Sequence, residues 1–177
     1  APAIVVGGVR FATRAEAAAG PGVTIAVAHQ APSLSPFADS FVATRGWPDN
    51  PLTRLMSTRL ASNPAQPDGK VYSYEIEIGG LERGRRYRVQ FLAGHGAKDE
   101  AAAGLSPMIR EMRIISDGAD TGPFSAATWT HRYSIVALFG AIDDKQIFSI
   151  QRVPNRTEVH RSVLNGVAVF SIPGAAE

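Results

Sequence analysis

An all-β fold is what this sequence predicts: an antiparallel β-sandwich, a jelly roll of about nine strands with long loops early in the chain. Three observations predict it. Residues 70–95 form two runs of period-two alternation on either side of a glycine-bearing turn. Short β-branched and aromatic runs recur along the chain, punctuated by Gly, Pro, Asn and Asp. The strand–helix–strand rhythm that builds parallel sheets is missing. With 177 residues, 45% of them apolar and 19% charged, the chain is long enough for one substantial core. We expect a single domain over residues 1–177, without linker or internal repeat.

Residues 9–13 and 23–28 are short β-branched runs. Between them, Ala15-Glu16-Ala17-Ala18-Ala19 suits one helical turn, which Gly20-Pro21-Gly22 stops. Residues 30–66 read as loop, broken by Pro32, Pro36, Pro48, Pro51 and Pro64, with an apolar island at 52–60. In residues 71–78, Tyr72, Tyr74, Ile76 and Ile78 share a dry face, while Ser73, Glu75 and Glu77 share a wet one. Gly79, Gly80 and Gly84 mark a turn. Tyr87, Val89, Phe91 and Ala93 then line the dry face of the next strand, leaving Arg86, Arg88 and Gln90 outward. These two runs are expected to pair as a hairpin, setting Glu75 and Glu77 opposite the arginines. Cross-strand charge pairs of this kind contribute from a few tenths to about 1 kcal/mol. Residues 108–117 are the next strand, followed by a turn-rich 116–123. Residues 133–139 are apolar on both faces, the pattern of a central strand covered on each side. Residues 145–151 and 163–172 complete the series.

The stretch Ile76-Glu77-Ile78-Gly79-Gly80-Leu81-Glu82-Arg83-Gly84-Arg85-Arg86-Tyr87-Arg88-Val89-Gln90-Phe91 resembles the strand, Gly-Leu-x-x-Gly-x-x-Tyr, strand segment of two β-sandwich families. One is the fibronectin type III module. The other is the galactose-binding-like jelly roll, which includes carbohydrate-binding and malectin-like modules of secreted bacterial proteins. Later segments favour the second: Arg110-Glu111-Met112-Arg113-Ile114, Gly122-Pro123-Phe124-Ser125-Ala126 and Leu164-Asn165-Gly166-Val167-Ala168-Val169-Phe170 resemble its later strands. Gly8-Val9-Arg10-Phe11 and the island at 52–57 stand in the same order. The length also exceeds the roughly 100 residues of a seven-stranded immunoglobulin-type sandwich. The resemblance implies a non-catalytic module, often appended to larger surface proteins, whose loops at one end bind sugar.

Composition narrows the partners. The formal charge is +2, and the isoelectric point of 9.2 reflects the fact that 15 of the 18 basic residues are Arg. A balance of +2 is too small to imply nucleic-acid binding. Without cysteine there is no disulfide framework and no thiolate metal site. No apolar run approaches the roughly 20 residues of a membrane-spanning helix. The chain opens Ala1-Pro2-Ala3, as it would after removal of a secretory leader or trimming of an initiator Met. Its Thr, Ser, Gly and Pro content and its β pattern lead us to expect an extracellular or cell-surface protein. Asn155-Arg156-Thr157 fits the glycosylation acceptor rule and equally fits an ordinary polar turn.

A sugar site needs an aromatic ring against the apolar sugar face and planar polar groups for the hydroxyls. The loop Arg45-Gly46-Trp47-Pro48-Asp49-Asn50 brings a guanidinium, an indole, a carboxylate and an amide together. Trp129-Thr130-His131-Arg132 forms a second cluster. We therefore expect Arg45, Trp47, Asp49, Asn50, Trp129 and His131 to contact ligand, although each Trp equally suits a cap on the core. No cofactor is expected. Structural calcium is an option at Asp117, Asp120 and Thr121 or at Asp143 and Asp144, but neither set matches an EF-hand loop. His29, His95, His131 and His160 lack zinc-helix spacing, and no nucleophile elbow, phosphate loop or dinucleotide fingerprint occurs. Two functions follow: a carbohydrate-binding module, or a structural subunit of a self-assembling spike, filament or capsid whose partners are neighbouring copies. A third, weaker option is an anionic polymer bound by Arg83, Arg85, Arg86 and Arg88.

Overall fold

The computed structural model of the protein describes residues 3–29, 35–38, 50–56, 58–61, 73–94, 111–117, 119–121, 124–125, 132–152 and 163–174. Nine described strands have four residues or more: β3 (Thr24–His29), β4 (Ser35–Ala38), β5 (Thr58–Ala61), β6 (Ser73–Gly79), β7 (Arg86–Gly94), β8 (Glu111–Ser116), β11 (Arg132–Gly140), β12 (Lys145–Arg152) and β14 (Gly166–Ile172). Shorter pieces are β1 (Ile4–Val6), β2 (Val9–Phe11), β9 (Ala119–Asp120), β10 (Phe124–Ser125) and β13 (Val163–Leu164). Two six-residue helices, α1 (Arg14–Ala19) and α2 (Pro51–Met56), complete the inventory.

Every pairing among the described strands is antiparallel. The larger sheet runs β10-β8-β12-β6-β3, and the smaller one facing it runs β11-β7-β14. A further sheet, β13-β5-β4, adjoins β7, while β1 and β2 form a hairpin beside α2 and β14. The dry layer lies between the two main sheets. Ile76, Ile78, Ile114, Phe148 and Ile150 enter it from the larger sheet, and Tyr87, Val89, Phe91 and Ala93 from the smaller. Phe91 meets Phe148 edge-on at 5.1 Å between ring centroids, and Phe139 meets the same ring at 5.6 Å. This is the all-β sandwich that the alternation predicts. Each such side chain contributes about 1.5–3 kcal/mol on burial.

The expected hairpin between residues 71–78 and 87–93 does not form. β6 pairs with β12 and β3, whereas β7 pairs with β11 and β14 in the opposite sheet. From β6 onward the long strands β6, β7, β8, β11, β12 and β14 alternate between the larger and the smaller sheet. The physical reason lies in the connection 80–85. Leu81 is buried, its N–H donates to the Asp144 carbonyl at 2.9 Å, and the Gly84 N–H donates to the Ala141 carbonyl at 2.7 Å. Six residues bridge the roughly 10 Å between stacked sheets, anchored on the β11–β12 turn. Gly80, at φ 68°, passes so close to the Gly22 carbonyl that a Cβ would overlap it. The Tyr87 hydroxyl accepts from the Glu82 N–H at 2.9 Å and closes the arch.

A second departure concerns β11. Among the described strands it pairs with β7 alone, so it is an edge rather than a covered central strand. Ile135, Ala137 and Phe139 pack on the core, while Val136 and Leu138 turn outward, 51% and 61% exposed.

The expected helical turn at 15–19 forms as α1. Thr13 is its N-cap: the Thr13 hydroxyl accepts from the Glu16 N–H at 3.3 Å, and the Thr13 N–H donates to the Glu16 carboxylate at 2.8 Å. The island at 52–60 becomes α2 and β5. Pro51 stands at the first helical position, where its missing N–H costs nothing. Leu55 is buried and, with Phe11 of β2, lies against Gly166 at the start of β14.

Two outcomes test this architecture. Phe91→Ala empties the centre of the dry layer and should lower unfolding free energy by about 3–5 kcal/mol in urea titration; a loss below about 1 kcal/mol would mean the rings do not meet. The backbone hydrogen bond from Thr13 and then the Arg10 guanidinium, 2.8 Å away, lower the Glu16 carboxyl from 4.5 to about 2. Because the folded value is depressed, this group's contribution is complete above pH 4.5 and is lost as pH falls towards 2. Wild type should thus exceed Glu16→Gln in stability near neutrality, and the difference should close below pH 4.5.

Candidate functional site

The outward face of the smaller sheet carries the most distinctive chemistry among the described residues. β7 lies in its middle, so its outward side chains are flanked on both sides. Register sets Leu138, Arg88 and Phe170 in one row and Val136, Gln90 and Ala168 in the next. Arg86 stands between Gly140 and Ile172 in the row beyond. The Arg88 guanidinium carbon lies over the Phe170 ring, 4.5 Å from its centroid. The Gln90 amide donates to the Ser134 hydroxyl at 2.6 Å. One end of the face is covered: a Cβ at Gly166 would meet the Phe11 ring at 3.2 Å and Leu55 at 3.6 Å.

Charge divides the two outer faces. On the larger sheet Glu75 and Glu77 face outward, with the Lys145 ammonium 3.8 Å from Glu77, and Arg113 is paired with Asp120. On the smaller sheet Arg86 and Arg88 face outward, with Arg83 in the adjoining turn. Among the described residues none of these three meets a carboxylate. Arg85 differs. It binds Glu82 at 2.6 Å and reaches the Ser171 hydroxyl at 3.3 Å, and its Glu82 contact raises its affinity for the proton. The expected pairing of Glu75 and Glu77 with the arginines is therefore absent, because the sandwich interior separates them.

Of the residues expected to contact ligand, Asn50 alone is described. It is half-buried and directly precedes α2, where its carbonyl accepts from the Arg54 N–H at 3.0 Å. Arg45, Trp47, Asp49, Trp129 and His131 lie outside the described residues, as do the Asn155-Arg156-Thr157 sequon, His95 and His160. At the suggested calcium loop, both acids have protein partners. Arg113 holds Asp120, and the buried Gln146 amide donates to Asp117 and, at 2.6 Å, to the Ser116 hydroxyl. Thr121 completes the hairpin by accepting from the Ile114 N–H at 3.0 Å. Asp117, at φ 46°, occupies the left-handed position that Asp tolerates in turns. Among the described residues no three His, Cys, Asp or Glu side chains gather as metal ligands.

Phe170, Ser134, Val136 and Leu138 escaped sequence reasoning as site residues. The runs 133–139 and 163–172 are apolar at both alternating positions, so nothing local distinguishes a dry residue from an uncovered one. Only the register with β7 assembles them around Arg88.

No protein-family model and no curated protein matches this sequence. Among solved structures the chain is similar to the plant receptor-like kinase ANX1, at 14% identity and a TM-score of 0.57, over 93% of this chain and 43% of that one. It is also similar to the module TmCBM61 in complex with β-1,4-galactotriose, at 8% identity and a TM-score of 0.42, over 86% and 90% of the two chains. A third likeness is to the enzymatically active domain of tailspike protein 4 of bacteriophage CBA120, at 11% identity and a TM-score of 0.43, over 90% and 20%. The chain thus spans less than half of the receptor kinase and a fifth of the tailspike. The first of these likenesses shows a shared β-sandwich fold.

Proposed function

We propose that this protein is a non-catalytic carbohydrate-binding module of an extracellular or cell-surface protein, and that sugar lies across the outward face of the smaller sheet. One observation carries the reading. That face combines apolar surface at Val136 and Leu138 with the planar polar groups of Gln90 and of Arg88, held over the Phe170 ring, and with the Ser134 hydroxyl. Pyranose rings have the matching two-sided character, with C–H surface on their faces and hydroxyls around the rim. The Arg45, Trp47, Asp49 and Asn50 loop, with Trp129 and His131, is a second proposed contact surface at the end of the sandwich. No helix among the described residues is long and apolar enough to cross a membrane.

A specific observation also favours assembly. β11 is nine residues long, has one described neighbour, and turns Val136 and Leu138 outward. Edges of that kind accept a strand from a neighbouring chain. Under this reading the protein is a subunit of a homo-oligomer.

Affinity electrophoresis through gels containing polysaccharides tests the first reading. At least one glycan should retard the protein, and Phe170→Ala should weaken retention about tenfold, equivalent to ~1.4 kcal/mol, with thermal melts confirming the fold. Loss on Trp47→Ala instead would move the site to the loop, and no retention by any glycan would overturn the module reading. Light scattering tests assembly: a mass above one chain that drops to one chain in Leu138→Lys supports it, and a monomer at all concentrations overturns it.

A further inference from the structure

The carbohydrate reading leaves the class of sugar open, and the same face narrows it. Arg86 and Arg88 are two residues apart on one strand, so their side chains leave the same face about 7 Å apart. Neither meets a carboxylate among the described residues, and neither does Arg83. Arg85, one position away, is neutralised by Glu82. A β-sheet face ordinarily intersperses charges of both signs, as the opposite face does with Glu77 and Lys145. Here cations gather on the face, and the nearby described acids, Glu82, Asp143 and Asp144, lie in the adjoining turns.

The Arg88–Phe170 stack matters most. With the guanidinium over the ring, that side of Phe170 is not free to receive the apolar face of a neutral sugar or a nucleobase. What the stack offers a ligand is a cation with its planar fork of N–H donors restrained in place. A fork of this shape pairs with a carboxylate through two parallel hydrogen bonds, and restraint lowers the entropy lost on binding. Beside it, Leu138, Val136 and Ile172 supply apolar surface for ring C–H groups, and the Gln90–Ser134 pair meets hydroxyls.

We infer that the Arg86–Arg88–Phe170 face recognises acidic glycans, taking the carboxylate of a uronate residue on Arg88 with Arg86 beside it. The inference rests on the carbohydrate reading and specifies its ligand. A nucleic acid suits the face less well, because the stacking ring is occupied and the formal charge of the whole chain is only +2.

The test is affinity electrophoresis of the full chain against polygalacturonate, its fully methyl-esterified form, dextran sulfate, a neutral galactan and a single-stranded oligonucleotide. Polygalacturonate should retard the protein, and esterification should weaken retention at least about tenfold, the scale of a charge-assisted hydrogen bond. Arg88→Gln should cost about the same factor. Lys145→Gln removes an equal charge from the opposite sheet and should leave retention unchanged. Thermal melts of both variants check folding, and both positions are exposed. Equal retention by dextran sulfate and the oligonucleotide would show a surface that reads charge alone, which overturns the inference. Binding to neutral galactan unaffected by Arg88→Gln would overturn it while leaving the carbohydrate reading intact. Retention by none of the glycans would remove both.

Discussion

Phe91 of β7 and Phe148 of β12 meet edge to face at the centre of the sandwich, and the organisation of the protein follows from keeping those rings dry. Each ring belongs to a different sheet, so covering both requires the sheets to stack. Stacking in turn fixes the orientation of every neighbour by the two-residue period of a strand. With Tyr87, Val89 and Phe91 committed inward, Arg86, Arg88 and Gln90 have no alternative but the outer surface. The candidate site is thus the reverse side of the core, and slipping β7 by one residue would exchange them.

The arch from β6 to β7 decides which outer surface the arginines occupy. Had residues 80–85 closed a hairpin, acids and arginines would share one face and cancel locally. Instead Leu81 plugs the end of the core, the Tyr87 hydroxyl ties the arch to Glu82, and three backbone hydrogen bonds fasten it to the β11–β12 turn, from Leu81, Gly84 and Ala141. The sandwich interior then stands between Glu75 or Glu77 and the guanidinium groups. An exposed charge pair would have contributed at most about 1 kcal/mol, so its loss is minor against a buried Leu and a buried Tyr.

How far the sequence could be read depends on what kind of information alternation carries. It distinguishes wet from dry positions within a run, and Ile76, Ile78, Tyr87, Val89, Phe91 and Ala93 are all dry as expected. The helical turn after Thr13 was equally legible, because capping is local. Alternation is silent about which strands become neighbours, since that is settled by contacts between residues far apart in the chain. The hairpin expectation failed for this reason. It is silent, too, about whether an apolar position is covered: Val136 and Leu138 have the composition of buried residues and the exposure of surface ones. The Arg88–Phe170 stack joins residues from two separated runs, and only β14 lying beside β7 brings it about. Of the aromatic loop read as the sugar contact, only the last residue, Asn50, is described, at the start of α2.

The unequal charge of the two flat sides has a consequence at distances beyond any contact. Among the described residues one side holds ions of both signs, with Glu77 beside Lys145 and Arg113 paired with Asp120, and the other holds Arg86 and Arg88, which meet no carboxylate. The described charges thus give an electric moment across the thickness of the sandwich, on which a negatively charged wall or gel would exert a torque. Under the acidic-glycan reading, that torque would turn the arginine side forward while still a Debye length away, about 8 Å in physiological salt, so that arrival and alignment become a single event.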